Sequence, residues 1–180
     1  NQIRDLKLEN KGVKVLYTEP LWDSAPLRLS FIEKADAVVR PEERASTGVL
    51  LVGHGQPHEW DLEFPTETEH EMRFREDVLR DFEAIGYKRE NLSLAWMAFR
   101  EPKVPEVVRD MADRGLKKMI FFSAAISAEA IHSQSDIPDL VAKAKASKRM
   151  EIINLGAWND HPRVIEAIKV KIEEALRQAG

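Results

Sequence analysis

The chain has no cysteine. Disulfides, thiolate metal sites, iron–sulfur clusters and cysteine nucleophiles are therefore excluded, and the composition fits a reducing, cytoplasmic setting. It also lacks an excess of positive charge. The 27 Lys and Arg against 31 Asp and Glu leave a net −4, with a pI near 5.8. That removes the electrostatic case for a nucleic-acid or anionic-membrane partner. No apolar run approaches the roughly 20 residues that span a bilayer, and no signal peptide is visible. No low-complexity segment or short-period repeat interrupts the 180 residues, enough for one domain with a sizeable core. The chain opens on Asn1 in a polar stretch, which reads as a processed or truncated segment of a longer parent.

Several chemical signatures are missing too. Without GxxxxGK[ST] or GxGxxG there is no motif for a nucleotide, and without GxSxG no nucleophile elbow. His58-Glu59 and His70-Glu71 begin like HExxH, but Leu62 and Phe74 stand where the second histidine belongs.

What the sequence does have is alternation. Runs of β-formers predict strands over Val13–Tyr17, Val49–Val52, Leu92–Ala98, Lys118–Phe122 and Met150–Leu155. Helical patterns lie between them. One covers Leu27–Val39. A second opens at Thr66, with Glu69 in the capping-box position, and stops at Gly86. Others run from Pro105 to Gly115, from Pro138 to Ser147, and onward from Pro162. The second helix presents Met72, the stem of Arg75, Val78, Leu79, Phe82 and Ile85 to a core. The last presents Val164, Ile165, Ile168, Ile172 and Leu176. Such alternation means an α/β fold, a three-layer α/β/α sandwich with a mostly parallel sheet. The polar stretch Pro41–Gly48 reads as a linker between a leftover βα unit (1–40), the tail of a preceding half-domain, and an α/β domain (48–180).

In such sheets ligands bind at the carboxyl ends of the strands. GVLLVGHG sets His54 just past one strand, Arg100-Glu101-Pro102 follows the next, and IHSQSDIP sets His132 after the one beyond. Neighbouring strands lie about 4.8 Å apart, so two imidazoles and a carboxylate can converge on one edge. Two histidine nitrogens and a carboxylate oxygen suit Fe²⁺, Co²⁺, Ni²⁺ or Zn²⁺. Three protein ligands leave coordination positions open, as in a site that delivers metal. Asp136 serves either as a partner orienting His132 or as an N-cap for the following helix. Glu129 rivals Glu101 as the acidic partner. A lone histidine after a strand is more often structural than functional, and His58, His70 and His161 read first as loop, solvent-facing and helix-terminal residues. Trp60, Phe64, Trp96 and Trp158 read as core or loop anchors.

LLVGHGQP resembles the start of the class II tetrapyrrole chelatases, the sirohydrochlorin chelatases in particular, which carry His-Gly-Ser there. The stretch from Met97 to Val141 resembles their middle section, with Glu101-Pro102, Pro105-Glu106 and the His-x-x-x-Asp-Ile-Pro string from His132 to Pro138. Residues 49–178 are similar as well to the carboxyl-terminal half of ferrochelatases. The resemblance implies a chelatase-like (Rossmann-like or flavodoxin-like) half-domain that inserts a divalent metal into a tetrapyrrole, sirohydrochlorin or a porphyrin. The metal, Fe²⁺ or Co²⁺, is then a substrate, and no organic cofactor is implied. His54 would be the first ligand and a proton acceptor, His132 the second ligand, and Glu101 the acidic position. A homodimer partner or a missing amino-terminal half would supply the other wall of the cleft. Three departures stand out: Gln56 in place of the small hydroxyl residue, no glycine before His132, and Ser123 where a proline is usual. A non-catalytic binding relative and a metal-dependent hydrolase are the competing readings.

Overall fold

A computed structural model describes residues 5–146 and 148–179, so the expectations touching Asn1 and Ser147 lie outside the described residues. Four strands, β1 (Thr47–Gly53), β2 (Leu92–Trp96), β3 (Lys118–Ser123) and β4 (Glu151–Asn154), form one sheet in the order β2-β1-β3-β4. Every pairing is parallel. Around it pack α1 (Ala25–Asp36), α2 (Pro65–Ala84), α3 (Val104–Asp113), α4 (Ile137–Lys143) and α5 (Pro162–Ala179).

The unbroken apolar run of β1 follows from its place. All seven residues are buried, because a central parallel strand is covered on both faces. Its side chains alternate. Val49 and Leu51 enter a core with Leu27 and Phe31 of α1, Phe74 and Phe82 of α2, and Val164 and Ala167 of α5. Leu50 and Val52 enter a second core with Val104, Val108 and Met111 of α3 and Ile137 and Val141 of α4.

The strand order matters most for function. From β1 the chain passes through α2 to β2 on one side, then through α3 back across to β3 on the other. The connections leaving β1 and β3 therefore diverge, opening a crevice at their carboxyl ends, the topological switch point where ligands bind in open α/β sheets.

Four expectations need correction. Val13–Tyr17 is not a strand: it runs as irregular chain, with Tyr17 60% exposed, because β-formers without a neighbouring ladder have nothing to pair with. Pro41–Ser46 is a 3₁₀ turn, and Thr47 and Gly48, expected in the same polar stretch, belong to β1. Glu43 there meets Lys118 at 3.0 Å, and that hydrogen bond above all holds its carboxyl down at about 2. The helix α2 starts at Pro65 with Phe64 as N-cap, which puts Thr66 inside it. The stripe of α5 is reversed: Val164, Ala167 and Ala175 are buried, whereas Ile165, Ile168, Ile172 and Leu176 are exposed.

Candidate metal centre

His54 stands one residue past β1, at the switch point. Gly55, at φ +79°, turns the chain so tightly that a Cβ would lie 2.5 Å from the carbonyl oxygen of Ala98. Only glycine fits there. The turn brings the Gly55 carbonyl within 2.6 Å of His54 Nδ1. A carbonyl only accepts, so Nδ1 carries the proton and Nε2 keeps its lone pair.

His132 arrives from the other side of the switch. After β3 the chain forms a loop, and His132–Asp136 winds as a π-helical turn into α4. Wide turns of this kind are frequent at functional sites. The wider winding keeps Asp136 beside His132, with Oδ2 2.6 Å from Nδ1. The carboxylate accepts a hydrogen bond from the Nδ1–H, which leaves the lone pair of this imidazole on Nε2. The loop before His132 is braced by the residues after β4. Trp158 Nε1 donates to the Ala124 carbonyl at 2.7 Å, the Glu129 amide to Asn159 Oδ1 at 2.7 Å, and Asn159 Nδ2 to Glu129 Oε1 at 3.1 Å.

The two imidazole centres lie 5.2 Å apart, at 67° to one another. Two imidazoles sharing one tetrahedral ion through bonds of about 2.0–2.1 Å have ring centres about 5 Å apart. The spacing of the two ring centres matches that of two imidazoles on one divalent ion.

Glu101 does not join them. The N–H of Trp96 donates to the Pro102 carbonyl at 2.9 Å, and Trp96 pairs with Lys103, so the loop doubles back along the sheet edge. The residue beside His54 is Ala98, whose N–H donates to the His54 carbonyl at 3.1 Å. Glu101, its side chain 68% exposed, sits at the loop tip facing Lys103 Nζ at 3.6 Å. Glu129 is occupied by Asn159 and by Gln134, which donates to it at 2.9 Å. Among the described residues, no group of three or more histidine and carboxylate side chains could hold a metal ion. His58 is exposed in a 3₁₀ turn. His161 serves α5: its Nδ1 accepts the Arg163 N–H at 3.3 Å, and its Nε2 is 3.7 Å from Glu33.

Beside His54 opens a cleft of about 410 Å³, walled by Trp22, Trp60, Phe99, Glu67 and Glu71. Trp60 and Phe99 are each about half exposed, and Phe99 holds φ +60°, an uncommon conformation for an aromatic residue. Asp61 ties the two aromatic loops together. It accepts from Gln56 at 2.7 Å, from Thr68 at 2.9 Å and from Arg100, and the Arg100 bond foremost holds its carboxyl down at about 2. The departure at Gln56 thus has a place in this network. Sequence reasoning missed Trp22, Phe99 and Glu71 at the cleft. For Glu71 a signal existed: it falls on the inward face of its helix, four residues before Arg75.

The model of the CbiX family matches residues 48–175. The chain belongs to the CbiX family, the sirohydrochlorin chelatases, whose members are tetrapyrrole metal chelatases. Among solved structures it is similar to a CbiX protein assigned to cobalamin (vitamin B12) biosynthesis in Marinobacter aquaeolei VT8, at 21% identity and TM-score 0.51, covering 74% of this chain and 97% of that one. It is also similar to SirB from Bacillus subtilis, solved with Fe³⁺, at 15% identity and TM-score 0.68. That match covers 97% of this chain, which spans 63% of SirB. At these identities the likeness shows the fold. No curated protein matches the sequence. Among the described residues, no helix of this CbiX chain is long and apolar enough to cross a membrane.

Proposed function

We propose that this chain inserts Fe²⁺ or Co²⁺ into sirohydrochlorin, with His54 and His132 as the protein's metal ligands. The observation that carries the reading is the pair of imidazoles 5.2 Å apart at the switch point, each with Nδ1 occupied and Nε2 free. The metal is a substrate, so weak and incomplete protein ligation suits its release. Two ligands leave positions for water and then for the macrocycle nitrogens. Insertion expels two pyrrolic protons per metal ion. As the ion crosses to the macrocycle it vacates both Nε2 lone pairs, and His54 and His132 are then placed to receive those protons. The half-exposed rings of Trp60 and Phe99 offer an apolar rim for the flat substrate. Its other wall comes from a second copy of the chain or from a further half-domain. The compartment of this chemistry is the cytoplasm.

The test is anaerobic incubation with sirohydrochlorin and either metal, following the absorption change on metallation. Wild-type protein accelerates it, His132→Ala abolishes it, and His70→Ala leaves it nearly unchanged. Wild-type turnover in the His54→Ala/His132→Ala double variant would refute the assignment.

A further inference from the structure

Beneath His54 lies an ion pair in an otherwise apolar layer. The Arg75 side chain is wholly buried, and its Nη2 is 3.6 Å from Glu71 Oε1. Its Nη1 donates to the Ala95 carbonyl of β2 at 2.9 Å and to the Leu51 carbonyl of β1 at 3.3 Å. The guanidinium carbon lies 3.9 Å from the centre of the Trp96 ring. One cation therefore joins both strands near their carboxyl ends and stacks on an aromatic face.

The pair is seated on Gly53. A Cβ there would lie 2.0 Å from Glu71 Oε1 and 2.5 Å from Arg75 Cζ. The next residue is His54, which lines the same cleft as Glu71. Burial, the largest influence, raises the Glu71 carboxyl above the usual range, opposed by Arg75 and His54. Filling a core with an ion pair is costly, and well-packed apolar residues often do as well or better. Stability thus gives this pair no reason to be here. Its location directly under a metal-binding residue does.

We propose that Glu71, held by Arg75, is the positioning residue for His54. The pair fixes the Gly53–His54 backbone so that the imidazole stands at metal-sharing distance from His132. This rests on His54 and His132 being metal ligands. Glu71 itself touches neither metal nor macrocycle.

Replacing both members by apolar residues of similar size, Glu71→Leu with Arg75→Met, separates positioning from stability. The variant is expected to fold with an unchanged or higher melting temperature, yet to bind Co²⁺ about 10–100-fold more weakly, the range for partners that orient metal ligands. The d–d bands of bound Co²⁺ shift, and KM for the metal rises while KM for the tetrapyrrole stays constant. Glu71→Gln, which keeps a polar partner of the same shape for Arg75, retains more affinity than Glu71→Leu. Wild-type Co²⁺ affinity and spectrum in the double variant overturn the proposal. If that variant does not fold, equal Co²⁺ affinity of folded Glu71→Gln and Glu71→Leu overturns it instead. His54→Ala and His132→Ala serve as the reference. If neither weakens Co²⁺ binding, the ligand assignment itself fails. If both do and the Glu71 variants do not, positioning alone fails.

Discussion

The two histidines of the centre are held by opposite means. His54 is fixed from below, by a strand with every residue buried and an ion pair pressed against Gly53. His132 is fixed from the side, by Asp136 and a loop braced through Glu129 and Asn159, with side-chain exposures of 41% for His132 and 44% for Asp136. A buried support resists displacement but tolerates few changes. An exposed polar support costs little to alter and can move. One histidine thus belongs to the buried scaffold and the other to an exposed loop held by polar contacts.

The sharpest way to break this comparison is to attack each support and read stability and metal binding separately. Arg75→Ala leaves Glu71 buried without its partner, and such a break costs about 3–5 kcal/mol, measurable by denaturant unfolding. Gly53→Ala forces a Cβ into the same ion pair and is expected to cost about 1–3 kcal/mol, as overpacking does. Asp136→Ala reverses the pattern. An exposed pair contributes about 0–1 kcal/mol to stability, so unfolding scarcely changes. Loss of the acceptor at His132 Nδ1 weakens Co²⁺ binding about 10–100-fold, as calorimetric titration would show. Equal stability losses at Gly53 and Asp136 would erase the distinction between scaffold and loop.

The same contrast explains what could be read from the residues alone. β1 was legible because burial on both faces demands an unbroken apolar run, and the Gly-His-Gly after it marks a turn. His132 was legible from its place past the third β-run and from the motif around it. Glu101 was expected beside the histidines because the expected strand ran to Ala98, whereas the ladder ends at Trp96 and the chain doubles back. No periodicity encodes that reversal. Arg75 was expected to bury only its stem. The guanidinium is enclosed as well, because two strand carbonyls, Trp96 and Glu71 supply its partners, and those meet only in three dimensions. The Ile stripe of α5 shows the converse: spacing identifies a face but not whether that face turns inward.

The smallest expected effect concerns the rim above His54. Asp61 joins the loop of Trp60 to that of Phe99 and Arg100. Its carboxyl stands at about 2 in the folded protein against an ordinary 3.8, chiefly through Arg100 and then through Gln56. A depressed carboxyl stabilises the fold above its unfolded value, and that contribution fades as pH falls from about 4 towards 2. The buried Glu71 carboxyl, raised rather than lowered, takes up its proton above that window, so a change at the rim between pH 4 and pH 2 is separate from one at the pair beneath His54. Near-ultraviolet circular dichroism, sensitive to Trp60 and Phe99, should change between pH 4 and pH 2 while the far-ultraviolet signal of the helices holds. Asp61→Asn, which cannot titrate, should flatten the near-ultraviolet change. A near-ultraviolet transition that coincides with loss of the helices, and survives Asp61→Asn, would mean that the cleft rim and the scaffold beneath His54 open as one unit.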